Sequence, residues 1–121
     1  MEQILKELEK NENIRTNLSN LRQQIKDNEK KHKLQQNMAK QGELFLTFLK
    51  SEDAKTRKNA ALLLGDVAYQ PALDLLYQAY MEEQTLFVRA SYLQALAELN
   101  VTELLPDLRD ALQQLLETEP E

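Results

Sequence analysis

The stretch SEDAKTRKNAALLLGDVA, residues 51–68, opens with two residues suited to cap a helix, Ser51 and Asp53, and closes on a small and apolar run interrupted only by Asp66. Ser51 and Asp53 can accept from the orphan N–H groups of a helix start. The following residues put Ala60, Ala61, Leu63, Leu64 and Val67 on one stripe of a helix over 54–68. What matters for the fold is whether this unit recurs. Shifted by 32 residues, Asp53 meets Thr85, Arg57 meets Arg89, and Ala61, Leu64 and Val67 meet Leu93, Leu96 and Leu99. Gly65 meets Ala97, so a small residue persists. The segment in front repeats at the same spacing, with Leu44, Phe45 and Phe48 on Leu76, Tyr77 and Tyr80. A less regular copy precedes both. NIRTNLSNLRQQI lines up with KTRKNAALLLGDV at an offset of 42, placing Arg15 on Arg57, Asn17 on Asn59, Leu21 on Leu63 and Ile25 on Val67. About ten additional residues then fall in the polar stretch DNEKKHKLQQ. A repeat of this length is the signature of a helical solenoid.

Working outward gives helices over about 2–10 and 13–28, and a polar connection or an extended helix over 29–41. Paired helices follow at 43–50 with 54–68 and at 71–82 with 86–99, then a last helix near 103–117 and an acidic tail. Pro71 suits a first helical turn. Two glycines, three prolines and no clean period-two alternation agree with an all-helical chain. The predicted division is a degenerate, Lys-rich unit over 1–41, regular repeats over 42–117, and a tail over 118–121.

At this point the chain resembles the HEAT and armadillo repeat families. QGELFLTFLKSEDAKTRKNAALLLGDVA looks like an armadillo unit, and the unit built on Arg89 looks more like HEAT, with V-R followed by A-L-A-x-L. The resemblance implies an all-α fold, a short right-handed α-solenoid of antiparallel helix pairs. It also implies a non-catalytic scaffold that contacts a protein or peptide through the concave face built by the last helix of each unit. The positions that face carries are Asn20 and Gln24, Leu62 and Asp66, and Gln94 and Glu98. The Trp–Asn ladder of peptide-binding armadillo proteins is missing from them, which argues against binding of nuclear-signal peptides. These residues grow acidic toward the C-terminal end and suit a basic or polar partner. The alternative is a targeting or regulatory domain of a larger protein- or RNA-modifying enzyme whose catalytic part lies beyond residue 121.

Charge supports this picture. Residues 1–41 carry nine Lys/Arg against six Asp/Glu, whereas residues 74–121 carry two against ten, within a net charge of −5. The Lys-rich stretch Lys26, Lys30, Lys31, Lys33 and Lys40 is interrupted by Asp27 and Glu29 and lacks an aromatic to stack a base, so it reads as a solvated face and not a nucleic-acid site. Chemistry is not encoded in any recognisable constellation. There is no cysteine, no Gly-rich phosphate loop, and a single histidine, His32, without companions to share a metal. Glu82 and Glu83 read as exposed at a helix end. No cofactor is expected. No apolar run approaches the ~20 residues of a membrane helix, and the chain reads as cytoplasmic. Arg57 and Arg89 are expected to bond carboxylates or helix-end carbonyls between units, and Tyr77, Tyr80 and Tyr92 to sit in the core with their hydroxyls outward. A continuous coiled-coil arm is disfavoured because Asn11 and His32 interrupt the seam of Ile4, Leu18 and Ile25. Leu108, Leu112 and Leu116 lie on an apolar stripe with no following helix, which suggests self-association through the last helix, or a longer native chain that covers it.

Overall fold

A computed structural model describes residues 1–99 of the protein. These residues form six α-helices: α1 (Glu2–Glu9), α2 (Ile14–Gln24), α3 (Asn28–Phe48), α4 (Ala54–Asp66), α5 (Leu73–Glu82) and α6 (Leu86–Leu99). A 3-10 turn, Gln70–Ala72, leads into α5 and holds Pro71 where its missing N–H costs nothing. The helices pack as successive pairs, α1 on α2, α3 on α4 and α5 on α6, while α2, α4 and α6 stack side by side, most extensively between α4 and α6. The described residues thus form an all-α solenoid of three helix pairs.

Capping sets the unit boundaries. The Asp53 carboxylate accepts the Thr56 N–H at 2.9 Å and starts α4. Asp27 does the same for α3 through Lys30 N–H. Helix α4 closes with Ala68 in the left-handed region (φ 55°), where Tyr69 N–H bonds Leu64 C=O and Ala68 N–H bonds Gly65 C=O, each at 3.0 Å. Helix α1 ends the same way through Asn11, a residue that tolerates this conformation better.

The 32-residue spacing holds along the second helices. Thr56, Ala60, Ala61, Leu63, Leu64 and Val67 of the α4 unit and Val88, Tyr92, Leu93, Ala95, Leu96 and Leu99 of the α6 unit are all buried. Leu18, Leu21 and Ile25 fill the corresponding places in the first unit. In the first helices the spacing is 31: the buried Phe45 and Leu49 correspond to the buried Leu76 and Tyr80. One residue turns a helix by about 100°, and that shift leaves Tyr77 41% exposed, outside the core in which it was expected. Tyr80 and Tyr92 are buried as expected.

The polar stretch 29–41 is helical and runs without a break into the helix expected at 43–50. It takes part in the core through Leu34 and Met38. Gly42, expected ahead of a helix, lies within this one. A Cβ there would stand 2.3 Å from the Tyr69 ring, so the ring seats where a side chain would be.

Candidate functional site

Two arginines of the recurring position join neighbouring units. Arg15 bonds the Asp53 carboxylate, with Nε 3.0 Å from Oδ2. Arg57 grips Glu83 with two parallel bonds of 3.0 Å, and its Nη1 reaches the Ser51 and Glu52 carbonyls at 2.8 and 3.1 Å. The expectation of a carboxylate partner in the neighbouring unit, made for Arg57 and Arg89, is met at Arg57 through Glu83. Arg89 stacks over the Tyr80 ring at 4.7 Å. Glu83, expected to be exposed, is half-buried, with its side chain only 8% exposed, while Glu82 is open to solvent. Burial pushes the Glu83 carboxyl up, but hydrogen bonds from Arg57 and the Thr85 N–H overcome this and hold it below the usual carboxylate range. The Tyr92 hydroxyl, 3.4 Å from Glu83, is pushed up to about 12, first by burial and then by that charge. The cavity beside them, about 650 Å³, is lined by Arg57, Glu83, Lys50 and Gln78 among others. Its Arg57–Glu83 pair is spent on holding two units together.

The α2/α4/α6 layer is different. Positions 20 and 24, 62 and 66, and 94 and 98 fall on three adjacent helices. Asn20 and Gln94 are exposed, and Gln24 is half-buried with its side-chain oxygen lacking a donor among the described residues. Asp66 bonds Arg22 Nε at 3.0 Å. Glu98 accepts from Gln94 at 3.4 Å, and its carboxylate lies against Gly65, where a Cβ would stand 3.2 Å from Oε2. Burial raises the Glu98 carboxyl above the usual range, and the Asp66 charge adds to this against relief from Gln94. Gly65 also lets the α6 backbone approach, since a Cβ would stand 2.9 Å from Ala95 Cα. Leu62 is buried, yet it lies outside the main core cluster. It floors an open groove of about 420 Å³ between α4 and α6, with Phe87, Ala90 and Ala97 on the walls and Gln94 at the rim. Lys58 closes one side, its Nζ 5.9 Å from the Phe87 ring centre.

The sequence-selected residues Leu62 and Gln94 therefore meet at one groove, while Asp66 and Glu98 lie next to each other a turn further on. Asn20 and Gln24 line neither. The reading of the sequence missed Arg22, Lys58 and Phe87. Arg22 had a signal: at the 42-residue offset it occupies the place of Leu64, a charge where the other two units bury leucine. Leu108, Leu112 and Leu116 lie outside the described residues. His32 is exposed beside Gln36. Among the described residues no group of acidic or histidine side chains could hold a metal ion, and no helix is long and apolar enough to cross a membrane.

The family model for HEAT repeats matches residues 42–121, about two thirds of the chain. The chain belongs to the HEAT-repeat family. No curated protein and no solved structure matches it. HEAT repeats are commonly protein-interaction scaffolds and are typically non-catalytic.

Proposed function

We propose that this HEAT-repeat protein is a cytoplasmic, non-catalytic scaffold that docks a polypeptide segment on the face of α2, α4 and α6. The observation that carries the reading is the groove between α4 and α6. It combines an apolar floor and wall, Leu62 and Phe87, with polar groups at its edge, Gln94 and Lys58. A groove of this kind takes an apolar side chain from the partner, and the polar edge fixes its direction. Glu98, an exposed carboxylate, favours a basic or polar residue next to that anchor. Asp66 contributes less, because Arg22 already neutralises it. Asn20 and Gln24 extend the same face toward the N-terminal unit. Self-association through Leu108, Leu112 and Leu116 belongs to the same proposal and is read by sedimentation of the Leu112→Glu/Leu116→Glu variant against the unaltered chain.

The test is site-specific. A photo-crosslinking side chain placed at Gln94 should capture a partner that the same group placed at Lys10, on the far side of the first unit, does not. Glu98→Lys and Ala90→Trp should each abolish the Gln94 capture while leaving the helical circular dichroism and the melting temperature unchanged. Capture that is equal at both positions, or that survives both substitutions, would move the docking face elsewhere.

A further inference from the structure

Arg22 and Arg57 both sit at a seam between units, but they are used differently. Every nitrogen of the Arg57 guanidinium is engaged, by Glu83 and two backbone carbonyls. Arg22 donates a single bond, from Nε to Asp66. Neither of its terminal nitrogens bonds a described residue, although a guanidinium carries five N–H donors. Its side chain is only 29% exposed. Its terminal nitrogens are not buried, so their donors stand open to water or to a ligand. The repeat does not require it, since Leu64 and Leu96 are fully buried at the same place in the later units.

The underused edge borders a cavity of about 340 Å³ whose lining includes Ser19, Lys26, Asn28, Lys31 and Asp66. Neither Lys26 nor Lys31 makes an ion pair or a side-chain hydrogen bond among the described residues. Three cations thus surround one cavity, against one carboxylate that is already bonded to Arg22. Cations this close act together on any anion between them, because screening at physiological salt extends over about 8 Å. Ser19 and Asn28 add neutral donors.

We propose that this cavity is an anion-binding site that receives a carboxylate or phosphoryl group carried by an acidic segment of a partner polypeptide. The charge is confined to one half-open corner, so it suits a single group and not the repeating phosphates of a nucleic acid. Its lining holds no aromatic on which a base could stack. Asp27 and Glu29, neighbours in sequence of Lys26 and Asn28, are exposed and would repel an extended polyanion. The site does not depend on the groove between α4 and α6, and its ligand chemistry is the opposite of what Glu98 favours.

Amide-resolved NMR titration of the full chain tests this directly with three probes: a Glu-rich decapeptide with a central phosphoserine, the same peptide unphosphorylated, and decauridylate. The phosphopeptide should produce saturable shifts confined to residues 19–31 and Asp66. Lys26→Glu with Lys31→Glu should weaken it at least tenfold at unchanged melting temperature. Arg22→Leu, which restores the residue type of the other two units, should weaken it comparably. If the unphosphorylated peptide binds within about twofold, carboxylates are the natural group; if it binds more than tenfold weaker, the phosphoryl group is. Absence of saturation, indifference to the double lysine reversal, or tighter binding of decauridylate than of either peptide would overturn the assignment.

Discussion

Glu83→Ala should cost about 3 kcal/mol of folding stability. The side chains of Arg57 and Glu83 are 18% and 8% exposed, so the pair is largely withdrawn from water. Removing one partner of a buried pair costs roughly 3–5 kcal/mol, most of it from stranding the other charge. Two bonds of 3.0 Å are lost, and the Thr85 N–H loses its acceptor at 3.1 Å. The guanidinium keeps its bonds to the Ser51 and Glu52 carbonyls and can draw water from its exposed edge, which sets the cost at the lower end. For a domain of this size about 3 kcal/mol lowers the melting midpoint by roughly 10 °C. Thermal and urea unfolding, followed by circular dichroism, measure it. The Arg57→Met variant closes a double-mutant cycle. Once Glu83 is gone, removing Arg57 should cost about 2 kcal/mol less than it does in the intact protein. A Glu83→Ala penalty within ~0.5 kcal/mol of zero, as for an ordinary surface change, or strictly additive single effects, would show that the pair does not bind the second unit to the third.

Leu64→Ala and Leu96→Ala remove fully buried side chains and should each cost about 2–5 kcal/mol in urea unfolding; changes below ~1 kcal/mol at both would contradict the core. Ala68→Gly relieves the left-handed backbone after α4 and should raise stability by roughly 1 kcal/mol, and a lowered melting point would refute that helix end. Asp53 and Glu83 are both held below their ordinary carboxylate range, Asp53 mainly by Arg15 and Thr56. Their stabilisation is therefore complete above the unfolded values near ~4 and is lost as pH falls through the lowered folded values. Melting at pH 3 should lie well below that at pH 7, and Glu83→Gln should narrow the gap. The Tyr92 hydroxyl should titrate at about 12 in an ultraviolet absorbance titration, and Tyr92→Phe should remove that step.

The second helices were legible because their signal is redundant. Apolar residues recur at 32-residue spacing through several turns, and Asp53 marks the start of α4 with a side-chain bond that the sequence announces. Tyr77 was misplaced because a tyrosine suits both core and surface, and a register differing by one residue is invisible until burial distinguishes Leu76 from Tyr77. Glu83 was misread for a different reason. A carboxylate at a helix end is usually solvated, and the arginine that buries it stands 26 residues away. The groove at Leu62 could not be foreseen from periodicity, since its openness depends on how closely Gly65 lets α6 approach. Arg22 was visible as a break in the apolar pattern, but its single bond to Asp66 is a fact of three-dimensional packing.

The ten additional residues between the first two units have a consequence for how such an array tolerates change. They are spent inside α3, whose 21 residues span roughly 31 Å. Leu34 stands eleven residues, about 3.1 helical turns, ahead of Phe45, so the two share nearly the same angular phase. Leu34 and Met38 stay on the side of Phe45 and Phe48, and the apolar seam is prolonged instead of rotated into water. An insertion of half a turn more or less would have sent that seam outward. Length variation in this lineage should therefore accumulate in near-whole turns of the first helix of a unit, where it lengthens a strut, and be purged from the second helices, where it would unzip the stack.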